Sequence, residues 1–137
     1  MFLLQFDACN RDHLKIGSIG YVIYYDSNIL LKKYKMLNNV LNSNYAEYQA
    51  LIEGLKNAIQ LNIKDLYVEG DAKIVIEQIN NKCNVKSNSV KPLYHEVLNL
   101  LKYFDNIDFN HIYRKHNLYA DSLANHALIE YFNNSKS

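Results

Sequence analysis

Between Asn44 and Asn62 the apolar residues Tyr48, Leu51, Ile52, Leu55, Ala58 and Ile59 recur at i, i+3 and i+4 spacing, the signature of an amphipathic α-helix. The apolar stripe of such a helix needs a broad apolar surface to lie on, and the flanking sequence supplies one. Before it, the segments LLQFDA, GYVIYYD and ILLKKYKML are rich in β-branched, aromatic and aliphatic residues, which predicts three strands. Asp26-Ser27-Asn28 separates the last two and predicts a hairpin turn. After it, DLYVEGD alternates Leu66 and Val68 against Tyr67 and Glu69, a fourth short strand, and AKIVIEQINN reads as a short helix. The stretch from Asn80 to Ser89 reads as loop. Val90 to Phe104 has helical spacing through Leu93, Val97, Leu100 and Leu101, with Pro92 accommodated in the first turn. IDFNHIY gives a fifth strand, and a last helix runs from about Asn117 to Phe132. The order β-β-β-α-β-α-α-β-α contains parallel crossovers, so the fold class is α/β: a five-stranded mixed sheet with helices on both faces.

At 137 residues the chain suffices for one domain with a single core, assigned to residues 1–132, with the polar tail 133–137 expected to be disordered. Lys+Arg is 15 against Asp+Glu 14, so no global basic field announces a nucleic-acid partner, and such a partner must be argued from local residues. Cys9 and Cys83 form no CxxC pair and are too few for a disulfide framework, which favours a reducing, intracellular compartment, cytoplasmic or otherwise. No apolar stretch approaches the roughly 18 residues that span a bilayer. No membrane association is expected, and the chain is read as a monomer.

Four carboxylates sit at element ends. Asp7 ends the first strand, Asp71 follows the fourth, Glu47 lies in the first turn of the first helix and Asp121 in the first turns of the last. In α/β sheets chemistry collects at the carboxyl ends of strands, where the backbone opens into loops above a rigid core. Glu47 has two readings. Asn44-x-x-Glu47 resembles a capping box, in which the Glu side chain returns to the helix terminus. Alternatively, stepping from Glu47 by helical turns reaches Leu51, Gly54 and Ala58, the face that packs on the sheet, and an inward carboxylate there must be paired or metal-bound. Asp121 is equally an acid favoured near a helix N-terminus. Carboxylates that converge repel one another, and a hard divalent cation resolves the repulsion; oxygen-only ligands point to Mg²⁺ or Mn²⁺. Two such ions can activate a water and stabilise the leaving oxygen in phosphodiester cleavage.

These residues resemble type 1 ribonuclease H, in its short form related to reverse-transcriptase nuclease domains. FDACNRD with IGYVIY is similar to the family's first strand and its turn into the second. NSNYAEYQALIEGLKNA resembles the first helix, and LYVEGDAKIVIEQIN and HIYRKHNLYADSLANHAL the remaining two signatures. The match is ordered and spans nearly the whole chain. It implies a ribonuclease H-like sheet of three antiparallel strands followed by two parallel ones. It also implies that Asp7, Glu47, Asp71 and Asp121 are the metal-binding and catalytic acids, with two Mg²⁺ or Mn²⁺ ions. The implied reaction is hydrolysis of RNA in an RNA/DNA hybrid, leaving 5′-phosphate and 3′-hydroxyl ends, with strand choice through 2′-hydroxyl contacts across the minor groove.

The resemblance further implies substrate contacts at Asn10, Asn44, Lys73 and Asn117. Lys73 stands where longer relatives carry a Gln, and either contacts phosphate or is solvated. Asn117 either touches the site or caps the last helix. The helper histidine of longer relatives falls at His111 if no gap intervenes, or at Lys115 or His116 if the loop is shorter. His111 lies inside the strand pattern, so His116 is the candidate. The segment after Asp7 departs from the family's Asp-Gly-Ser and Gly/Pro-rich loop, since Ala8-Cys9-Asn10 and Arg11 to Lys15 precede Gly17 and Gly20. That departure motivates one alternative, a catalytically weak nucleic-acid-binding module of the same fold; a related nuclease acting on another substrate is a second.

Overall fold

The computed structural model describes residues 1–135. Its strands are β1 (Phe2–Arg11), β2 (Ile16–Tyr25), β3 (Asn28–Asn38), β4 (Asp65–Gly70) and β5 (Asn106–His111); its helices are α1 (Ser43–Gln60), α2 (Lys73–Ile79), α3 (Lys91–Leu101) and α4 (Leu118–Ser135). The sheet runs β3-β2-β1-β4-β5, with β1, β2 and β3 antiparallel and β4 and β5 added in parallel, as the element order predicts. Among the described residues, no helix is long and apolar enough to cross a membrane.

The β2–β3 hairpin turns on two residues, Asp26 and Ser27, at φ 47° and 72°. Positive φ at both positions twists the turn to match the flanking strands. In β1 the side chains alternate, so Leu4 and Phe6 join Ile19, Tyr21 and Ile23 of β2 under α1, together with Tyr48, Leu51 and Leu55. The fit is close: a Cβ on Gly54 of α1 would lie 2.8 Å from Leu4 Cδ1. Tyr48, fully buried, donates its hydroxyl to Gln78 Oε1 at 2.7 Å and so ties α1 to α2. The opposite face of β2 carries α4, where Ser18 Oγ donates to the Ala124 carbonyl at 2.6 Å. Gly20 lets the helix backbone come this near, for a Cβ there would sit 2.5 Å from Ala124 N and 2.6 Å from Ala120 O.

Several boundaries shift from the sequence expectation. β1 continues through Arg11, so the whole FDACNR segment is paired with β2 rather than forming a loop, and a 3₁₀ turn, Asp12–Leu14, follows. β5 stops at His111 and α2 at Ile79. α4 runs on to Ser135, so three residues assigned to a disordered tail are helical; the other two, 136 and 137, lie outside the described residues. The capping-box reading of Asn44 and Glu47 is corrected as well. The N-cap of α1 is Asn42, extended at φ −166° and ψ 175°, whose side chain accepts from Tyr45 N at 2.8 Å. Asn44 is thus within the first turn, and Glu47 lies beyond reach of the cap and is free to point elsewhere.

Candidate active site

The β1–β4 ladder ends at Phe6 paired with Gly70. Asp7, the next residue of β1, and Asp71, the first residue past β4, emerge where that ladder ends, and Asp7 is still held laterally by Gly20 of β2. Glu47 reaches them from the second turn of α1. One carboxylate oxygen from each of Asp7, Glu47 and Asp71 lies within 4.8 Å of the other two. They line an open cleft of about 450 Å³ with Ala8, Cys9, His111, Tyr113, Arg114 and Asp121. Asp121 thus faces the same cleft without belonging to the tight group of three, and its Oδ2 lies 3.7 Å from Arg114 Nη2.

Burial and mutual repulsion dominate the electrostatics. Asp7 is 4% exposed, and desolvation, followed by the charge of Asp71, pushes its pKa up to about 8. Glu47 is raised well above the ordinary carboxylate range, first by burial and then by Asp7 and Asp71. Asp71 is raised by burial too. Cys9, on the same face of β1 two residues beyond Asp7, is held as a thiol by burial and then by the Asp7 charge, which lift it to about 11. The protein's own contacts do not satisfy the cluster, because Glu47 Oε1 is buried with no hydrogen-bond partner. Three hard oxygen donors and one buried, unpaired carboxylate oxygen fit a divalent cation such as Mg²⁺ or Mn²⁺.

The other residues singled out in the sequence fall into different places. Lys73 opens α2, 70% exposed and 4.0 Å from Glu77, outside the residues that line the cleft. Asn44 is half-buried in the first turn of α1, and Asn10 donates to Asp12 Oδ1 near the far end of β1. His116 is exposed in the 3₁₀ turn Arg114–His116 and does not line the cleft, whereas His111 does. The sequence expectation favours His116; β5 ends at His111, which places that residue at the strand's open end beside the cleft. Asn117 does not line the cleft either. At 0% exposure it has no surface to offer a substrate, and its side chain caps no helix but donates from Nδ2 to the Phe6 carbonyl at 2.9 Å. Arg114 went unread in the sequence, since a 3₁₀ turn has no periodicity to mark it. Its position, three residues past the end of β5 and seven before Asp121, is the available signal.

Residues 5–127 match the family model described as reverse transcriptase-like. The chain is 31% identical over 127 residues to the bifunctional protein Rv2228c of Mycobacterium tuberculosis, an alignment covering 92% of this chain and 35% of that protein. It therefore spans about a third of the length of the mycobacterial relatives it matches. The N-terminal ribonuclease H domain of Rv2228c, solved as a maltose-binding-protein fusion, superposes with a TM-score of 0.90 at 28% identity, covering 98% of this chain and 97% of that one. The crystal structure of ribonuclease H1 from Halobacterium salinarum gives a TM-score of 0.89 at 26% identity, over 94% and 98% of the two chains. The fold is also that of LC11 ribonuclease H1, solved in complex with an RNA/DNA hybrid, with a TM-score of 0.89 at 24% identity over 96% and 99%. With the family match covering most of the sequence and the sheet order, the crossing helices and the carboxylate cleft all in place, the chain belongs to the type 1 ribonuclease H family.

Proposed function

We propose that the chain is an endonuclease that hydrolyses the RNA strand of RNA/DNA hybrids with two divalent metal ions, leaving 5′-phosphate and 3′-hydroxyl ends. The observation that carries this reading is the convergence of Asp7, Glu47 and Asp71 within 4.8 Å at the end of the β1–β4 ladder, with Asp121 facing the same cleft. Asp7, Glu47 and Asp71 would hold the metal, with Asp121 as the fourth ligand residue. Bound there, Mg²⁺ or Mn²⁺ supplies an activated water and charge stabilisation for the leaving oxygen.

The chain's own residues do the rest. Asp7, paired with Gly20 of β2 one residue past the end of the β1–β4 ladder, offers its carboxylate from a strand held within the sheet and so fixes the reacting geometry in advance. Arg114 places a guanidinium at the cleft, able to hold a phosphate oxygen of the scissile strand. His111 stands at the rim, where an imidazole can carry a proton to the departing oxygen. The frame that carries these groups is the one on which an RNA/DNA hybrid is bound in the LC11 protein.

The test is cleavage of a hybrid labelled separately on each strand, with Mg²⁺, with Mn²⁺ and with chelator. RNA-strand products ending in 3′-hydroxyl are expected with either metal, none with chelator, and none from Asp71→Asn. An RNA strand left intact in both metals by folded wild-type protein defeats the proposal; binding of the hybrid without cleavage would then identify a binding module. Faster cleavage of duplex or branched DNA would identify a related nuclease.

A further inference from the structure

Asn117 joins the two sides of the cleft, with one bond from its buried side chain and one to its backbone carbonyl. Its Nδ2 donates to the carbonyl of Phe6, the residue immediately before Asp7, at 2.9 Å. Its own carbonyl accepts from the backbone N–H of Asp121 at 3.1 Å. Asp7 on β1 and Asp121 on α4, far apart in sequence, are therefore linked through one residue and two hydrogen bonds. The side chain is fully buried, yet Oδ1 has no partner. A residue serving packing alone would leave no such orphan, since an apolar side chain fills space without stranding an acceptor. What this carboxamide contributes is its N–H donor, aimed at a strand carbonyl at the edge of the metal-binding cluster.

We infer that Asn117 is a positioning residue, which sets the placement of Asp7 relative to Asp121 by fastening the start of α4 to the Phe6 carbonyl. The inference rests on the reading of these acids as a metal site. Its mechanism is that of groups behind a metal ligand, which orient the ligand without touching the ion. Losing the bond lets β1 and α4 drift by fractions of an ångström where two carboxylates must meet one site.

The experiment compares Asn117→Ala with Ser18→Ala. Ser18→Ala removes another buried bond between the sheet and α4, to the Ala124 carbonyl, and serves as the control for mere loosening of the helix. The first readout needs no metal: the backbone amide of Ala8 donates to Asp7 Oδ1 at 2.8 Å, so its ¹H–¹⁵N shift reports where that carboxylate sits. Asn117→Ala is expected to move this signal, to weaken Mn²⁺ binding measured by calorimetry roughly tenfold, and to lower kcat by a similar factor. KM for the hybrid should stay within about twofold. Ser18→Ala should lower Tm and leave the other three quantities in place.

An unmoved Ala8 signal in Asn117→Ala overturns the inference. So does a raised KM at unchanged kcat, which would mark a substrate contact, or an equal loss in Ser18→Ala. Should Asn117→Ala fail to fold, Asn117→Asp, which turns the donor into an acceptor at nearly constant volume, is measured in its place. In wild-type protein the Asn117 side-chain amide should also shift when Mg²⁺ is added; silence there while Ala8 responds counts against it. A wild-type protein that neither binds Mn²⁺ nor cleaves hybrid defeats the functional reading, and the metal-free Ala8 signal still decides the positioning role.

Discussion

Arg114 and Asp121 face each other at the mouth of the cleft, Nη2 to Oδ2 at 3.7 Å, with the arginine 75% exposed and the aspartate 18%. An ion pair so open to water adds at most about 1 kcal/mol to folding. Its significance is chemical, because Arg114 is the one permanently charged cation among the described residues that line the cleft. Asp121 holds the guanidinium beside the acids, where an incoming phosphodiester would meet it.

Arg114→Ala is accordingly expected to leave Tm within about 4 °C of wild type. Its kcat/KM on hybrid should fall about tenfold or more, equivalent to roughly 1.4 kcal/mol of lost transition-state stabilisation. Arg114→Lys should recover part of the loss, since it restores the charge without the planar fork. Steady-state kinetics and a melting curve on the two variants are the check, and unchanged kinetics in Arg114→Ala would remove the residue from the site.

The raised pKa of Asp7 has a consequence for stability, measurable without substrate. In the unfolded chain this carboxyl titrates near 3.8, in the folded chain near 8. Between those values the folded protein keeps a proton that the unfolded chain has released, so stability falls as pH rises through the interval. Burial of Glu47 and Asp71 acts in the same direction. Divalent ions require the ionised acids, so their stabilising effect grows with pH. In chelator, Tm should drop between pH 5.5 and 8.5, and the Tm gain on adding Mg²⁺ should widen over the same range. Asp7→Asn should flatten the first profile, abolish the second effect and stop cleavage. A chelator profile that is flat for wild type contradicts the electrostatics.

The residues that were legible in the sequence are those tied to a periodic element. The α1 spacing marked the helix and offered the inward phase of Glu47 beside the capping-box reading, and the strand pattern put Asp71 just past β4; Asp7, read as the end of the first strand, lies within β1, and only the β1–β4 ladder ends beside it. Asn42 was hidden because Asn42, Ser43 and Asn44 are three cap-forming residues in a row. Backbone conformation chooses among them, and the extended φ and ψ at Asn42 depend on how β3 hands the chain to α1. Arg114, His111 and Asn117 lie where β5 gives way to a 3₁₀ turn and then α4, a stretch in which no repeat reveals direction. There only the assembled sheet decides which side chain faces the acids and which is buried behind them.

The two candidate histidines can now be separated by experiment. His111 lines the cleft, its ring 5.8 Å from that of Tyr113 in an edge-on arrangement, whereas His116 is exposed on the 3₁₀ turn and does not line the cleft. His111→Ala should lower kcat about tenfold or more, within the range of general acid–base contributions, and His116→Ala should change it less than about twofold. Parallel single-turnover and steady-state measurements on both variants would show whether the loss lies in the cleavage step or in product release. The reverse ranking would reinstate His116.

Gly20 and Gly54 provide a last comparison, because the two sheet faces are packed by different means. At Gly20 an added Cβ meets helix backbone: Ala124 N at 2.5 Å, Ala120 O at 2.6 Å and Leu123 Cβ at 2.7 Å. Backbone in mid-helix cannot step aside alone, so α4 must move outward as a body. Gly20→Ala should therefore cost about 1–3 kcal/mol, the range for overpacked cores. Because α4 carries Asp121, cleavage should fall with stability. At Gly54 the obstructing atoms are the two methyl tips and Cγ of Leu4, at 2.8, 2.9 and 3.4 Å, and a rotamer change can relieve them. Replacing a mid-helix glycine by alanine also gains up to about 1 kcal/mol of helix propensity, offsetting part of the strain. Chemical denaturation should therefore rank Gly20→Ala below Gly54→Ala in stability, and Mg²⁺-dependent activity, measured well below each midpoint, should be impaired in Gly20→Ala alone. Equal stability losses in the two variants would mean that α4 yields as easily as a leucine side chain, and the rigid placement of Asp121 against Asp7 would have to come from elsewhere.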